Sequence, residues 1–442
     1  MPLTRLAGLH CDGTTLRDDL GRAVVLRGAN VSGRCKTPPF LPFDDPAAFD
    51  PLARWGMNAI RLLVTWEAIE PERGVYDDAY LARVAALARA AGERGLHVIV
   101  DLHQDLFSRA LGGSGAPAWA SRPSRRKASD RRWFLHYALA PAVRDSFRAL
   151  WRDEGGIRTA LLAAIAHTMA ALRDVEAVIG WDLFNEPMAP LREVVPGRFE
   201  ATALAAFHRD CIALRDRLSP GRLLLLEPTP LAAFGVPSTL PAIAGDDLVF
   251  APHLYDATAF LAGRYLARAS TFPAALARVR RTASARGWPL LIGEFGVLGS
   301  IAGADALIAD QCARLDRACA SWTVWHYNPT AVDWNDEDAS IVTPHGGERP
   351  WTAALVRPYP RLLAAEPHAA TTVWHSHQDR PWSLAYVATT TAPTELVVPR
   401  RWLGAAPLRA SVQGATATLD ETAGCVRIDA DVGAHVRVTL PR

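Results

Sequence analysis

Two glutamates stand in settings where a carboxyl group could do acid–base work: Glu186 in Trp181-Asp-Leu-Phe-Asn-Glu-Pro187 and Glu294 in Leu291-Ile-Gly-Glu-Phe-Gly296. Each follows an apolar, strand-like run and stands next to a turn-forming residue, Pro187 after Glu186 and Gly293 before Glu294. Two Glu side chains facing one another across a cavity are the parts of glycosidic cleavage. One acid protonates the leaving oxygen while the other carboxylate attacks the sugar or directs a water. Polar groups recur after the same kind of run elsewhere: Arg61, Thr65 and Trp66; His103 and Asp105, two apart and so on one side of an extended segment; Asn185; His253 and Tyr255; Trp325. An Arg and a Tyr beside Glu294 would hold it ionised and aimed. Asn185 can bond a sugar 2-hydroxyl, and Trp325 offers an apolar face to a sugar ring. The six cysteines form no C-x-x-C pair and no metal-ligand spacing with histidine, so free thiols, no metal and no organic cofactor are expected.

Such groups must be positioned by a scaffold, and the chain supplies one. Eight short strand-like runs, 24–31, 59–65, 97–102, 178–184, 222–226, 248–253, 290–295 and 321–327, alternate with amphipathic stretches such as 80–92, 158–173, 198–218, 272–286 and 305–320. This is the pattern of an α/β protein built from repeated βα units, and it predicts a (β/α)8 TIM barrel over residues 1–365. No G-x-G-x-x-G follows the first strand, which argues against an open dinucleotide-binding sheet. Barrel chemistry collects at the C-terminal ends of the strands, and Glu186 and Glu294 close the fourth and seventh. After 366 the texture changes to short alternating runs with Gly, Pro and Asp between them. That predicts a C-terminal antiparallel β-sandwich domain over 366–442, packed on the barrel.

The chain has 442 residues, half of them apolar, and 48 basic against 46 acidic residues leave a charge of +2. A sizeable core can form, but no broad positive field exists for nucleic acid. Uninterrupted apolar runs such as Leu223–Leu226 are far shorter than the ~18 residues of a bilayer span, so no transmembrane helix is predicted. The first residues do not read as a secretory leader. The expected location is the cytoplasm, or outside the cell if a leader has been trimmed away. Only Lys36 and Lys127 among the basic residues are lysine, which marks Lys36, just after the first strand, as a position where lysine itself is wanted.

The set Ile60-Arg61-Leu62, Asp101-Leu-His103, Asn185-Glu186-Pro187, His253-Leu-Tyr255, Gly293-Glu294-Phe-Gly296 and Trp325 resembles glycoside hydrolase family 5. Within it, Gly28-Ala-Asn-Val-Ser32 with Lys36, Glu70 to Asp77, Asp101 to Ser108, Gly115-Ala-Pro-Ala-Trp119 and Arg357-Pro-Tyr-Pro360 resemble the endoglycoceramidase and glucosylceramidase branch. The resemblance implies a retaining enzyme with Glu186 as acid/base and Glu294 as nucleophile. It also implies that Lys36, His103, Asp105 and Asn185 contact the sugar beside the scissile bond. Substrate-binding roles extend to Arg61, His253, Tyr255 and Trp325.

The expected substrate is a sugar head on a lipid aglycone, with transient contact to a membrane or micelle. The basic stretch 121–132, with Trp133, Phe134 and Tyr137 behind it, could meet anionic headgroups. Those aromatics with Phe260 and Leu261 would line an apolar trough for the lipid tail. The alternatives are a β-glucosidase or endoglucanase acting on soluble, aryl or steryl glycosides, and a non-catalytic carbohydrate-binding protein, against which the pair of glutamates argues.

Overall fold

The computed structural model describes residues 8–124, 135–195, 197–331, 334–344, 346–376 and 381–441. Eight parallel strands follow one another around a barrel: Arg27–Val31, Ala59–Val64, His97–Leu102, Val178–Asp182, Leu223–Leu226, Leu248–Phe250, Leu291–Ile292 and Ser321–Tyr327. The eighth pairs with the first, and parallel bridges Phe250–Leu290 and His253–Glu294 close the gap between the sixth and seventh. Gly28 is required where the first two strands meet, since a Cβ there would lie 1.9 Å from the carbonyl oxygen of Ala59. Helices Asp78–Glu93, Ile157–Leu172, Ala205–Leu218, Phe272–Arg286 and Ala304–Arg317 cover the outside. The segment Glu154–Leu172 is long and apolar enough to cross a membrane by composition alone. However, Ile157, Leu161, Ile165, Met169 and Leu172 are buried in the shell between barrel and helices, so its apolar face serves the core.

Residues alternate across each strand, and this divides the barrel into an outer shell and a filled interior. Ile60, Leu62 and Val64 pack outward against the helices. Ala59, Ile99, Leu223, Leu225, Val249 and Leu291 fill the lower interior, sealed below by Leu16, Val24 and Leu362.

That seal corrects the sequence reading. Residues 24–31 are two strands: Ala23–Val24 pairs with Leu362 and Leu363, and only Arg27–Val31 belongs to the barrel. A seven-stranded antiparallel sheet contains His10–Asp12, Thr15–Arg17, Ala23–Val24 and Tyr359–Leu363, all grouped with the barrel above, together with Thr394–Val397, Cys425–Asp429 and Thr416–Asp420. A second sheet of Val373–His375, Trp382–Val387, His435–Leu440 and Ser411–Gln413 faces it. Trp382, Leu384 and Tyr386 from one sheet and Leu396, Val426 and Ile428 from the other share a buried core, as a sandwich requires. Its first strands come from the N-terminal end because the barrel's open base must be capped by apolar side chains that the C-terminal segment alone does not supply.

Candidate active site

Counting by twos up the strands from the apolar layer leads to a charged one. Ala59 gives way to Arg61, Ile99 to Asp101, Gly180 to Asp182 and Leu225 to Glu227, and all four charged side chains are buried. Arg61 is the hub. Its Nε donates to Asp182 Oδ2 at 2.9 Å, and Nη1 to Asn30 Oδ1 and Glu294 Oε1 at 3.0 Å each. Nη2 donates to Asn185 Oδ1 at 2.9 Å and Glu227 Oε1 at 2.8 Å, and lies 2.9 Å from Asp101 Oδ1. With no exposed surface and every donor engaged, Arg61 sits beneath the carboxylates. It positions them and is out of reach of a sugar, which corrects its assignment as a substrate contact.

Glu294 reaches this hub because its strand is bulged. From Phe250–Leu290 to His253–Glu294 the sixth strand advances three residues and the seventh four. The ladder with the eighth strand shows the same extra residue between Ile292–Trp322 and Gly296–Trp325. A bulge of this kind re-aims a side chain. Here it turns Glu294 inward and leaves Phe295 outside, edge-on to Trp322, so the regular strand expected over 290–295 does not form. Glu294 Oε2 accepts from the Tyr255 hydroxyl at 2.8 Å. Burial pushes the Glu294 carboxyl above its ordinary range, with Glu186 adding to the rise, while His253 and Arg61 oppose it. Burial and the Glu294 charge raise Tyr255 far above the ordinary phenol, so it remains a hydrogen-bond donor.

Glu186 ends the turn after the fourth strand in a left-handed conformation, φ 46°, that a non-glycine residue adopts only when its surroundings hold it. Its Oε1 is 2.9 Å from His253 Nδ1, which is also 3.4 Å from Glu294 Oε2. One oxygen of each glutamate and the His253 nitrogen lie within 4.8 Å of one another. Burial would lower the imidazole, but Glu227, Glu294 and Glu186 raise it well above its ordinary value.

A second cluster borders the first. His103 Nδ1 is 2.8 Å from Asp101 Oδ2, and its ring stacks on Trp325 at 5.3 Å. Burial alone would lower His103, but Asp101 and Asp105 raise it to about 9. Lys36 Nζ is 2.8 Å from Asp105 Oδ2 and lies 4.5 Å from the Trp325 ring and 4.1 Å from that of Trp334. Although burial opposes both shifts, the charge of Asp105 raises Lys36, and Lys36 with His103 holds Asp105 well below the carboxylate range.

The structure therefore brings Lys36, Arg61, His103, Asp105, Asn185, Glu186, His253, Tyr255, Glu294 and Trp325 to one end of the barrel. Sequence reasoning passed over Asp182 and Glu227, and quoted Asp101 without a role. All three share the inward register of Arg61. Glu227-Pro228 after Leu223–Leu226 also repeats the Glu-Pro that follows the fourth strand. The expected lipid trough is altered. Tyr137 is buried with its hydroxyl 3.1 Å from the Leu106 amide, bracing the loop after the third strand. Phe260 packs edge-on to Tyr255 at 5.5 Å, Leu261 is 90% exposed, and Trp133 and Phe134 lie outside the described residues. Among the described residues, the exposed large hydrophobics of the barrel all follow strand ends on the mouth side: Val75 after the second strand, Leu135 and Leu139 after the third, Leu191 and Val195 after the fourth, Phe234 and Val236 after the fifth, and Leu261 and Leu266 after the sixth.

Comparison with known proteins agrees with this arrangement. The Cellulase (glycosyl hydrolase family 5) model matches residues 19–331. Endoglycoceramidase I of Rhodococcus hoagii is 31% identical over 393 residues, 83% of this chain and 75% of that protein. Endo-glycoceramidase II from Rhodococcus sp. in complex with ganglioside GM3 superposes with a TM-score of 0.82 at 25% identity, over 98% of this chain and 100% of that one. The same enzyme as a lactosyl-enzyme intermediate superposes at 0.80 with 26% identity, over 97% and 99%.

Proposed function

This chain belongs to glycosyl hydrolase family 5, and from that premise we propose that it hydrolyses the bond between a sugar head and a lipid aglycone, with retention at the anomeric carbon. The observation that carries the reading is the closeness of Glu186 and Glu294, within 4.8 Å oxygen to oxygen. Retaining enzymes hold their two carboxyl groups about 5–5.5 Å apart, whereas inverting ones leave about 6.5–9.5 Å for a water.

Roles follow from surroundings. Glu294, held by Arg61 and Tyr255, attacks the anomeric carbon through one oxygen, and the bond to the aglycone oxygen breaks. Glu186, the more exposed of the two, gives its proton to that oxygen, so the aglycone leaves as a neutral alcohol. A water then loses its proton to the Glu186 carboxylate and attacks the same carbon, releasing the sugar and restoring Glu294. The side chains on Lys36, His103, Asp105, Asn185 and Trp325 provide donors, acceptors and an apolar face for the sugar. The apolar residues around the mouth give the lipid end a place against a micelle or membrane surface. Each buried methylene contributes about 0.8 kcal/mol, so a few carbons of chain outweigh a further sugar contact.

The test compares the purified protein on glucosylceramide, lactosylceramide, octyl and methyl β-glucosides and cellotetraose. Glycolipids should be cleaved best, and octyl glucoside faster than methyl glucoside. Cellotetraose as the better substrate, with the two alkyl glucosides alike, would transfer the assignment to soluble glucans. Glu294→Ala should abolish turnover, and azide should restore it on an activated glycoside with formation of the inverted glycosyl azide.

A further inference from the structure

Glu227 is the buried charged group nearest the reacting pair that the double displacement leaves unused. It ends the fifth strand with only 2% of its surface exposed. Its Oε2 accepts from the backbone N–H of Glu186 at 2.8 Å. Its Oε1 accepts from Arg61 at 2.8 Å and lies 3.4 Å from His253 Nε2. The other nitrogen of that imidazole is the one against Glu186 Oε1. Glu227 thus holds the acid/base residue by a hydrogen bond to its strained backbone and sits at ion-pair distance from the ring that touches its carboxyl. His253 and Arg61 hold Glu227 down to about 2 despite burial, while burial and Glu227 push the adjoining Asp182 far up.

We infer that Glu227 is a positioning residue for the acid/base half of the reaction: it fixes the Glu186 backbone and keeps His253 as a donor to the Glu186 carboxyl. The Nδ1–H then stabilises the carboxylate that appears as Glu186 passes its proton to the aglycone, and holds that carboxylate in place to accept the proton of water in the second step. Glu294 has its own donors in Arg61 and Tyr255 and depends on Glu227 much less. The inference rests on the two-glutamate reading above, so it is tested only where the unmodified protein is shown to cleave both substrates used.

The experiment measures Glu227→Gln, with Glu227→Asp as a second variant that keeps the charge but shortens the reach, on an octyl glycoside and on a 2,4-dinitrophenyl glycoside of the same sugar. The octyl leaving group needs Glu186's proton; dinitrophenolate does not. For Glu227→Gln, kcat/KM on the octyl glycoside should fall about tenfold to a hundredfold, the scale of misplacing a catalytic group by an ångström, with under a fivefold change on the activated one. Azide should raise kcat of the variant on the dinitrophenyl glycoside and yield the glycosyl azide of retained configuration, because removing the glycosyl group from Glu294 then waits on a misplaced base. Glu227→Asp should show the same split to a smaller degree. Equal losses on both substrates with no azide effect, in either variant, would make Glu227 merely structural. A larger loss on the dinitrophenyl glycoside would place it in service of Glu294. If Glu227→Gln does not fold, the split and the azide product in Glu227→Asp decide alone.

Discussion

Arg61 and Arg27 lie on adjacent strands, both out of water and at opposite ends of the barrel, yet their partners share almost nothing. Arg61 meets carboxylates and amides with all its nitrogens. Arg27 meets one acid, Asp316, and lies over three rings: Tyr359 at 4.4 Å, Trp374 at 4.6 Å and Trp322 at 5.4 Å. Its Nε and Nη1 have no hydrogen-bond acceptor among the described residues. Their acidities diverge accordingly. Arg61 is raised well above its ordinary value because its acids overcome burial, whereas burial, with Arg357 adding to it against the pull of Asp316, lowers Arg27 to about 10. The same side chain is a directional hub at one end and an adhesive at the other, since Tyr359 and Trp374 come from the two sheets of the β domain. This is the usual division of a barrel, chemistry at the C-terminal face and stability at the base.

The mouth should give the largest effect. Arg61→Lys keeps the charge but replaces a planar fork with one ammonium, and so leaves several buried acceptors unpaired. Breaking buried pairs costs roughly 3–5 kcal/mol, and at ~1.4 kcal/mol per factor of ten kcat/KM should drop by about a hundredfold to several-thousandfold. Steady-state kinetics check this, and a drop below tenfold would show that the fork is dispensable.

At the base the loss should appear in stability and spare activity. Arg27→Met keeps volume among the three rings but removes Asp316's nearest partner. Arg357 Nε stays 3.0 Å from that acid, so the cost should be about 3 kcal/mol, the low end for a broken buried pair. Urea unfolding should report it while kcat/KM changes less than twofold. If activity falls in step with stability, the two ends are coupled and the division fails.

That division was only half legible beforehand. The mouth could be read because its groups are chemically unusual at strand ends: Glu186 before Pro187, Glu294 between glycines, His253 and Tyr255 two apart. The base could not. Ala23–Val24 and Arg27–Val31 read as one strand-like run in the sequence, and the break between them goes with the pairing to Leu362 and Leu363, more than three hundred residues away. The bulge that aims Glu294 was equally hidden, because alternation assumes an unbroken ladder. Asp101, Asp182 and Glu227 were available by counting in twos from Arg61, and Glu227 also carries the Glu-Pro of Glu186, whereas Asp101 and Asp182 lie within their strands and have no such flank.

Lys36 tests how far the functional end extends. If its ammonium, shared among Asp105, Trp325 and Trp334, turns a donor to a sugar hydroxyl, Lys36→Met should lower kcat/KM by several-fold to a hundredfold, since a charge-assisted hydrogen bond is worth roughly 1.5–3 kcal/mol. The melting temperature should move little. Unchanged kinetics would confine the working site to the Arg61 hub and leave Lys36 as a prop for Asp105.

The effect that separates the two ends by pH comes from His103. Its native value of about 9 stands above the ordinary 6.5 of an imidazole, so the folded state binds this proton more tightly than the unfolded chain does. The stability this provides is fully present below pH 6.5 and is lost as pH rises through 9. Arg27 keeps its proton through most of that window, since its value is about 10. Urea unfolding of the unmodified protein and of His103→Gln, measured from pH 6 to pH 9.5, should therefore converge. The stability difference between them should shrink by up to roughly 3 kcal/mol across the window. Arg27→Met should instead run parallel to the unmodified protein over most of that range. Parallel curves for His103→Gln would mean that His103 is neutral in the native state, with Lys36 balancing Asp105 and Arg61 balancing Asp101.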